Sequence, residues 1–167
     1  MRLDAGGIAK GFAADEALAT LRGLGVNQAL VAMGGDLAVG DPPPEHTGWQ
    51  VALAGLQDAG AAPGSPIVVR SVGISTSGDA EQWVEIAGQR YSHIVDPSTG
   101  VGLTGRRSVT VVAGDAMTSD MLATAVNVLG PDAGIALVEG SPGVGALVGT
   151  VFSNGQESWR RSRAWRW

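Results

Sequence analysis

The sequence predicts an α+β fold, a mostly antiparallel sheet with packed helices. Three observations carry that expectation. Some β-rich runs are joined by turn signals short enough for hairpins, which force antiparallel neighbours. Other segments have the length and 3.6-residue periodicity of amphipathic helices. The strands come partly as hairpins and partly in alternation with helices, which argues against a doubly wound parallel sheet. The chain has 167 residues, 44% of them hydrophobic, enough for one buried core. A single domain over residues 1–167 is therefore expected, with no internal repeat.

Residues 10 to 24 read as the first helix, with Ala14, Ala17, Leu18 and Leu21 at helical spacing and Gly23 and Gly25 as stops. "QALVAMGGD" follows as a short buried strand ending at Gly34, Gly35 and Asp36. "DPPPEHTG" is a loop by its prolines, and Trp49 to Leu53 can form a strand. "GLQDAGAAPGSP" is a second, low-complexity loop. Ile67 to Val72 reads as a strand leading into a polar turn, "GISTSGD". "WVEIAGQRYSHIVD" has alternating residues on both sides of Ala87, Gly88 and Gln89, the pattern of a hairpin closed by the turn "DPSTG". Ser108 to Ala113, "SVTVVA", is a strong strand. "DAMTSDMLATAVNVLG" is a helix with Met117, Met121, Leu122, Ala125 and Leu129 on one side. Pro131 with Asp132 can start another helix, and "VGALVGTVF" is a late strand.

Composition removes several classes of function. There is no Cys, so disulfides, thiolate chemistry and Cys-ligated metals are excluded. The net charge is −5, a poor match to nucleic acid, which calls for a basic face. Arg160, Arg161, Arg163 and Arg166 do alternate with Trp159, Trp165 and Trp167, and such a cluster could stack bases. The plainer reading is a last strand whose Trp residues cover the core edge. No apolar run approaches the roughly 18 residues that would span a bilayer.

Four stretches could carry chemistry. In "LDAGGIAKGFAAD", glycines and the sole lysine, Lys10, precede a helix, where backbone N–H groups can approach an anion. It matches neither common phosphate-loop pattern, and a glycine-rich helix entry with an exposed lysine explains it as well. In "TSDMLAT", Asp120 and Thr124 stand four apart on one helix face and offer hard oxygens of the kind Mg²⁺ takes. The alternative is an ordinary helix start, with Ser119 as N-cap and Asp120 in the first turn. In "SHIVDPSTG", His93 at a strand end can act as a general base or as a satisfied hydrogen-bonding residue. The hydroxyls of Ser75, Thr76 and Ser77 can bind a ring edge, a phosphate or their own turn.

Taken in order, "LDAGGIAKGFAAD", "VAMGGD", "ISTSGD", "YSHIVDPSTG", "VTVVA" and "SDMLATAVNVLG" resemble the ApbE family of FAD:protein FMN transferases. The resemblance runs from residue 3 to about residue 150 and corresponds to the C-terminal portion of a full-length member, without the family's N-terminal half. It implies Mg²⁺-dependent cleavage of FAD and transfer of FMN to a Thr or Ser of an acceptor flavoprotein. Some members instead hydrolyse FAD to FMN and AMP, and a non-catalytic flavin-binding module is the further alternative. By motif, Asp4 and Lys10 contact FAD, Ser77 and Gly78 line the flavin pocket, and Val95 meets FAD through its backbone. The Gly7 carbonyl, Asp120 and Thr124 ligate Mg²⁺, and Ala123 contributes through its position on that turn. His93 is the base for the acceptor hydroxyl. The implied setting is extracytoplasmic, with membrane association only through a parent chain or a partner. With one lysine and a net charge of −5, the chain is ill suited to meet two phosphate charges with a basic patch, which is consistent with a metal-assisted site.

Overall fold

A computed structural model describes residues 4–56, 60–79 and 82–167, so Leu3 and positions 57–59 of the second predicted loop lie outside it. Twelve strands and three helices are formed among the described residues. The main sheet takes β1 (Leu30–Met33), β2 (Asp36–Val39), β5 (Val72–Gly78), β10 (Arg107–Ala113), β11 (Gly145–Val151) and β12 (Glu157–Arg161) in the order β1-β2-β5-β10-β11-β12. Every neighbouring pair is antiparallel. Three two-stranded sheets are added by β3 (Trp49–Val51) with β4 (Ile67–Val69), β6 (Trp83–Ile86) with β7 (Gln89–Ser92), and β8 (Val95–Asp96) with β9 (Val101–Gly102).

Helices α1 (Ala9–Gly23), α2 (Ala116–Leu129) and α3 (Pro131–Glu139) lie on one face of the main sheet. Strand alternation divides the core accordingly. Val109, Val111, Ala146 and Val148 meet Leu122, Ala123, Val126 and Val138 beneath the helices. Val112, Leu147 and Ile74 face the other way, onto Val51, Ile67, Val69 and Trp165. "SVTVVA" is uniformly apolar or small because β10 is covered on both faces. No described helix is long and apolar enough to cross a membrane.

Two expectations about this region are corrected. The strand expected over Ile67 to Val72 is broken. β4 stops at Val69, Ser71 takes φ 50°, and Val72 begins a strand of a different sheet. "GISTSGD", expected as a polar turn, is instead mostly β5, near the centre of the main sheet. Two of its hydroxyls are paired with neighbouring elements rather than with a local turn. Ser75 Oγ lies 2.8 Å from Ser119 Oγ on α2, and Thr76 Oγ1 lies 2.9 Å from Thr110 Oγ1 on β10. The expected hairpin does form: Ala87 and Gly88 both have positive φ, which suits a two-residue turn between β6 and β7.

The C-terminal Arg/Trp run is an edge of the fold. Trp165 is buried in the second core, Arg160 pairs with Asp132, and Arg163 lies 3.0 Å from Glu139.

Helix α1 meets α2 closely at Gly11. A Cβ built there would sit 2.2 Å from the Ala116 carbonyl oxygen, a backbone atom that cannot step aside. Gly11→Ala should therefore destabilise the fold by about 3 kcal/mol. Urea unfolding checks this as a lower midpoint at unchanged m.

Candidate functional site

The glycine-rich stretch enters α1 and sets the half-buried Lys10 beside two acids. Lys10 Nζ lies 3.0 Å from Asp36 Oδ2 and 3.4 Å from Asp120 Oδ1. The Gly11 N–H donates to Asp120 Oδ2 at 3.1 Å, so the first turn of α1 is bonded directly to α2. Asp36 opens β2 after a turn in which Gly34 and Gly35 have φ of 54° and 95°. A Cβ on Gly34 would fall 3.2 Å from Lys10 Cδ, so the turn lies against the lysine stem. Sequence reasoning assigned Asp36 no role. Its only signal was the end of "VAMGGD", a glycine pair followed by an acid.

Both carboxylates are buried, with Asp36 2% and Asp120 3% exposed. Burial pushes the Asp36 carboxyl above the usual carboxylate range. The charge on Asp120 adds to that, and hydrogen bonding from Lys10 and Ser75 only partly offsets it. Burial disfavours the Lys10 ammonium, but hydrogen bonding and charge from Asp36, and then from Asp120, outweigh it and raise its pKa.

Helix α2 presents its polar side to this corner, which corrects the expected face. Of the residues expected on one side, Leu122 is buried in the core, but Met117, Met121 and Leu129 are exposed, whereas Ser119, Asp120 and Asn127 are buried. Ser119 is not the N-cap. Asp115 is, with its side chain accepting from the Thr118 N–H, and Ser119 sits inside the helix against Ser75. Asp15 of α1 adds a cap from another element. Its carboxylate accepts the N–H groups of Ala116 at 2.9 Å and Met117 at 2.8 Å. Asp15 was also missed, since capping between helices leaves no local sequence pattern.

The other expected site residues divide by location. A Cβ on Gly7 would lie 3.0 Å from Thr124 Oγ1, so Gly7, Thr124 and Asp120 share one corner with Lys10. Ala123 also lies on α2, but its methyl is in the apolar core and only its main chain could serve a ligand. Asp4 Oδ1 accepts the Gly6 N–H at 2.7 Å and so shapes the loop ahead of α1. Ser77 and Gly78 end β5, and the Ser77 carbonyl accepts from Asn127 Nδ2 at 3.0 Å. Gly78 lies so close to β10 that a Cβ would be 2.9 Å from the Arg107 carbonyl oxygen.

His93 and Val95 lie beyond that end of the sheet. His93 is exposed and follows β7, and its Nδ1 sits 3.1 Å from the Gln82 carbonyl oxygen. A carbonyl can only accept, so this contact calls for a proton on Nδ1, which in the neutral ring leaves Nε2 as the acceptor. Val95 is 48% exposed. Asp96 folds onto the Ser98 hydroxyl and N–H, and these bonds, the hydroxyl's first, hold its carboxyl below the usual range.

The donors around Asp120 fit a hard divalent cation. Asp120 and Thr124 offer a carboxylate and a hydroxyl four residues apart on α2, hard oxygens of the kind Mg²⁺ uses when phosphate oxygens and water complete its shell. Among the described residues no group of three His, Cys, Asp or Glu side chains could cage a metal without such help.

An antiparallel α+β protein with a lysine–carboxylate cluster between two helix starts is the class that this fold and site define. The chain belongs to the ApbE family, whose sequence model matches residues 1–148. It is 38% identical over 156 residues to a FAD:protein FMN transferase of Treponema pallidum (strain Nichols), an overlap covering 88% of this chain and 43% of that protein. A FAD:protein FMN transferase of Escherichia coli (strain K12) is 34% identical over 131 residues, covering 78% of this chain and 37% of that protein. Among solved structures, the ApbE protein of Thermotoga maritima matches with a TM-score of 0.83 at 33% identity, over 99% of this chain and 52% of that one. The flavinyl transferase ApbE of Pseudomonas stutzeri, in its apo form, matches with a TM-score of 0.79 at 32% identity, over 98% and 50%. The chain thus spans about half the length of these structures and less of the two transferases.

Proposed function

We propose that this chain carries the reaction site of a Mg²⁺-dependent FAD:protein FMN transferase, which moves FMN from FAD to a Thr or Ser of an acceptor flavoprotein. The observation that best supports this is the corner where Lys10, Asp36, Asp120, Thr124 and Gly7 meet, in a chain whose relatives bear that enzyme's name. Asp120 and Thr124 by side chain and Gly7 by carbonyl would hold Mg²⁺, with Ala123 contributing through its main chain alone. Bound there, the ion supplies positive charge against the pyrophosphate and the departing AMP. Lys10 supplies a second positive charge to the phosphates. Asp4 ahead of α1, Ser77 and Gly78 at the end of β5, and the Val95 backbone would contact FAD away from the metal.

His93 Nε2 takes the proton of the acceptor hydroxyl. The hydroxyl oxygen then bonds to the FMN phosphorus as the bond from that phosphorus to the AMP oxygen breaks. AMP leaves, and the flavin remains on the acceptor as a phosphoester. The same resemblance supports a reaction outside the cytoplasm, on an acceptor associated with a membrane.

The test is incubation with FAD, Mg²⁺ and a candidate acceptor, followed by a denaturing gel for flavin fluorescence and an assay for AMP. Flavin on the acceptor together with AMP supports transfer. Free FMN and AMP would make the protein a FAD pyrophosphatase, and FAD binding without AMP would make it a flavin-binding module. In an active preparation, His93→Gln should slow transfer by about 10²-fold. FAD affinity from fluorescence titration should barely change, and an equal loss in both would make His93 structural.

A further inference from the structure

The strands that lead to His93 have little of their own to hold them. β6 and β7 form a separate two-stranded sheet, and all four residues of β6 are exposed. A hairpin of this kind is marginal in water unless it is tied to something else. One tie is Arg90 on β7. Its Nε lies 2.9 Å from Oδ2 of Asp79, a buried residue directly after β5, and its guanidinium also donates to the Asp79 carbonyl. The same guanidinium carbon sits 4.1 Å from the centroid of the Trp83 ring on β6. Arg90 therefore joins both strands of the hairpin to the end of the main sheet.

That clamp is one register step from His93. Trp83 pairs with Ser92, and the next residues outward are Gln82 and His93. The Gln82 carbonyl accepts both the His93 N–H, at 3.2 Å, and the ring Nδ1–H, at 3.1 Å. Whatever fixes Trp83 thus fixes the carbonyl that selects the histidine tautomer.

We infer that Arg90 is a positioning residue: by holding Trp83 and Asp79 together it fixes the Gln82 carbonyl that keeps His93 in its Nδ1–H form, with Nε2 free to accept a proton. The inference deepens the reading of His93 as the base and rests on it for its relevance to the reaction.

The experiment is nitrogen-15 NMR of the imidazoles in the whole chain at about pH 8.5, where histidine is ordinarily neutral. The chain has only two histidines, His46 and His93, so His46→Gln assigns the signals. The wild type should show Nε2 of His93 predominantly unprotonated. In Arg90→Ala the ratio of Nδ1–H to Nε2–H forms should fall by about fivefold, the scale of one net hydrogen bond, with His46 unchanged. If Arg90→Ala loses its dispersed amide spectrum, Asp79→Asn, which keeps the side-chain shape, is judged by the same criterion. An unchanged ratio in a folded variant overturns the inference, as does a wild-type His93 protonated at Nε2. The two readings fail separately. A shifted tautomer with undiminished transfer upholds Arg90 as the positioning residue and removes His93 as the base.

Discussion

Asp120→Asn should lower Mg²⁺-dependent FAD turnover by about 10²–10³-fold, the scale of removing one preorganised electrostatic contact at a reacting centre. The fold should survive. Asn keeps an oxygen for the Gly11 N–H and occupies the same space. It also removes the charge that helps push the Asp36 carboxyl up, leaving Lys10 to pair with Asp36 alone. AMP release measures the first effect, and urea unfolding should show less than about 1 kcal/mol of change in the second. Turnover at the wild-type rate would remove Asp120 from the reaction, and a collapse in stability would recast it as a link between α1 and α2.

Lys10→Met should have the larger effect on stability. It leaves Asp36 and Asp120, both buried, without the ammonium between them. Losing one partner of a fully buried pair costs about 3–5 kcal/mol. The lysine side chain is 42% exposed, so solvent screening reduces the expectation to about 1–3 kcal/mol at neutral pH. The sign of the pH dependence follows from Asp36. Its folded pKa already lies above the reference value of 3.8 and should rise further in the variant. The folded state then holds a proton that the unfolded state has released, so stability falls as pH rises from the unfolded value through the folded one. The penalty is present at neutral pH and disappears once the pH falls below both. Thermal melts across acidic to neutral pH check this. Added Mg²⁺ should restore melting temperature more in Lys10→Met than in the wild type, because a cation is what the variant lacks.

The hairpin, both long helices and the β10 and β11 strands were legible because each obeys a local rule. Ala87-Gly88 closes a turn, Gly23 ends α1 with Gly25 just beyond it, and "SVTVVA" is apolar enough for two covered faces. What misled lies where polar residues are buried. The methionine side of α2 looks like its core face, yet Ser119, Asp120 and Asn127 go inward because Ser75, Gly11 and the Ser77 carbonyl pair with them there. β5 looks like a turn because its Ser and Thr side chains suit turns equally well until α2 and β10 accept them. Lys10 and Asp120 were legible as separate weak signals, and the ordered motifs joined them. Asp36 and Asp15 were not, because each owes its place to a contact with a distant part of the chain.

The central claim is that the corner formed by α1, α2 and the β1–β2 turn is a pyrophosphate site that needs a divalent cation. Calorimetric titration of this chain with FAD, with and without Mg²⁺, tests it most directly, with Asp120→Asn alongside. The expected result is FAD binding that strengthens at least about tenfold, roughly 1.4 kcal/mol, when Mg²⁺ is present. Asp120→Asn should show no such strengthening. FAD bound equally well with and without Mg²⁺, or an Mg²⁺ effect that persists in Asp120→Asn, would contradict the account.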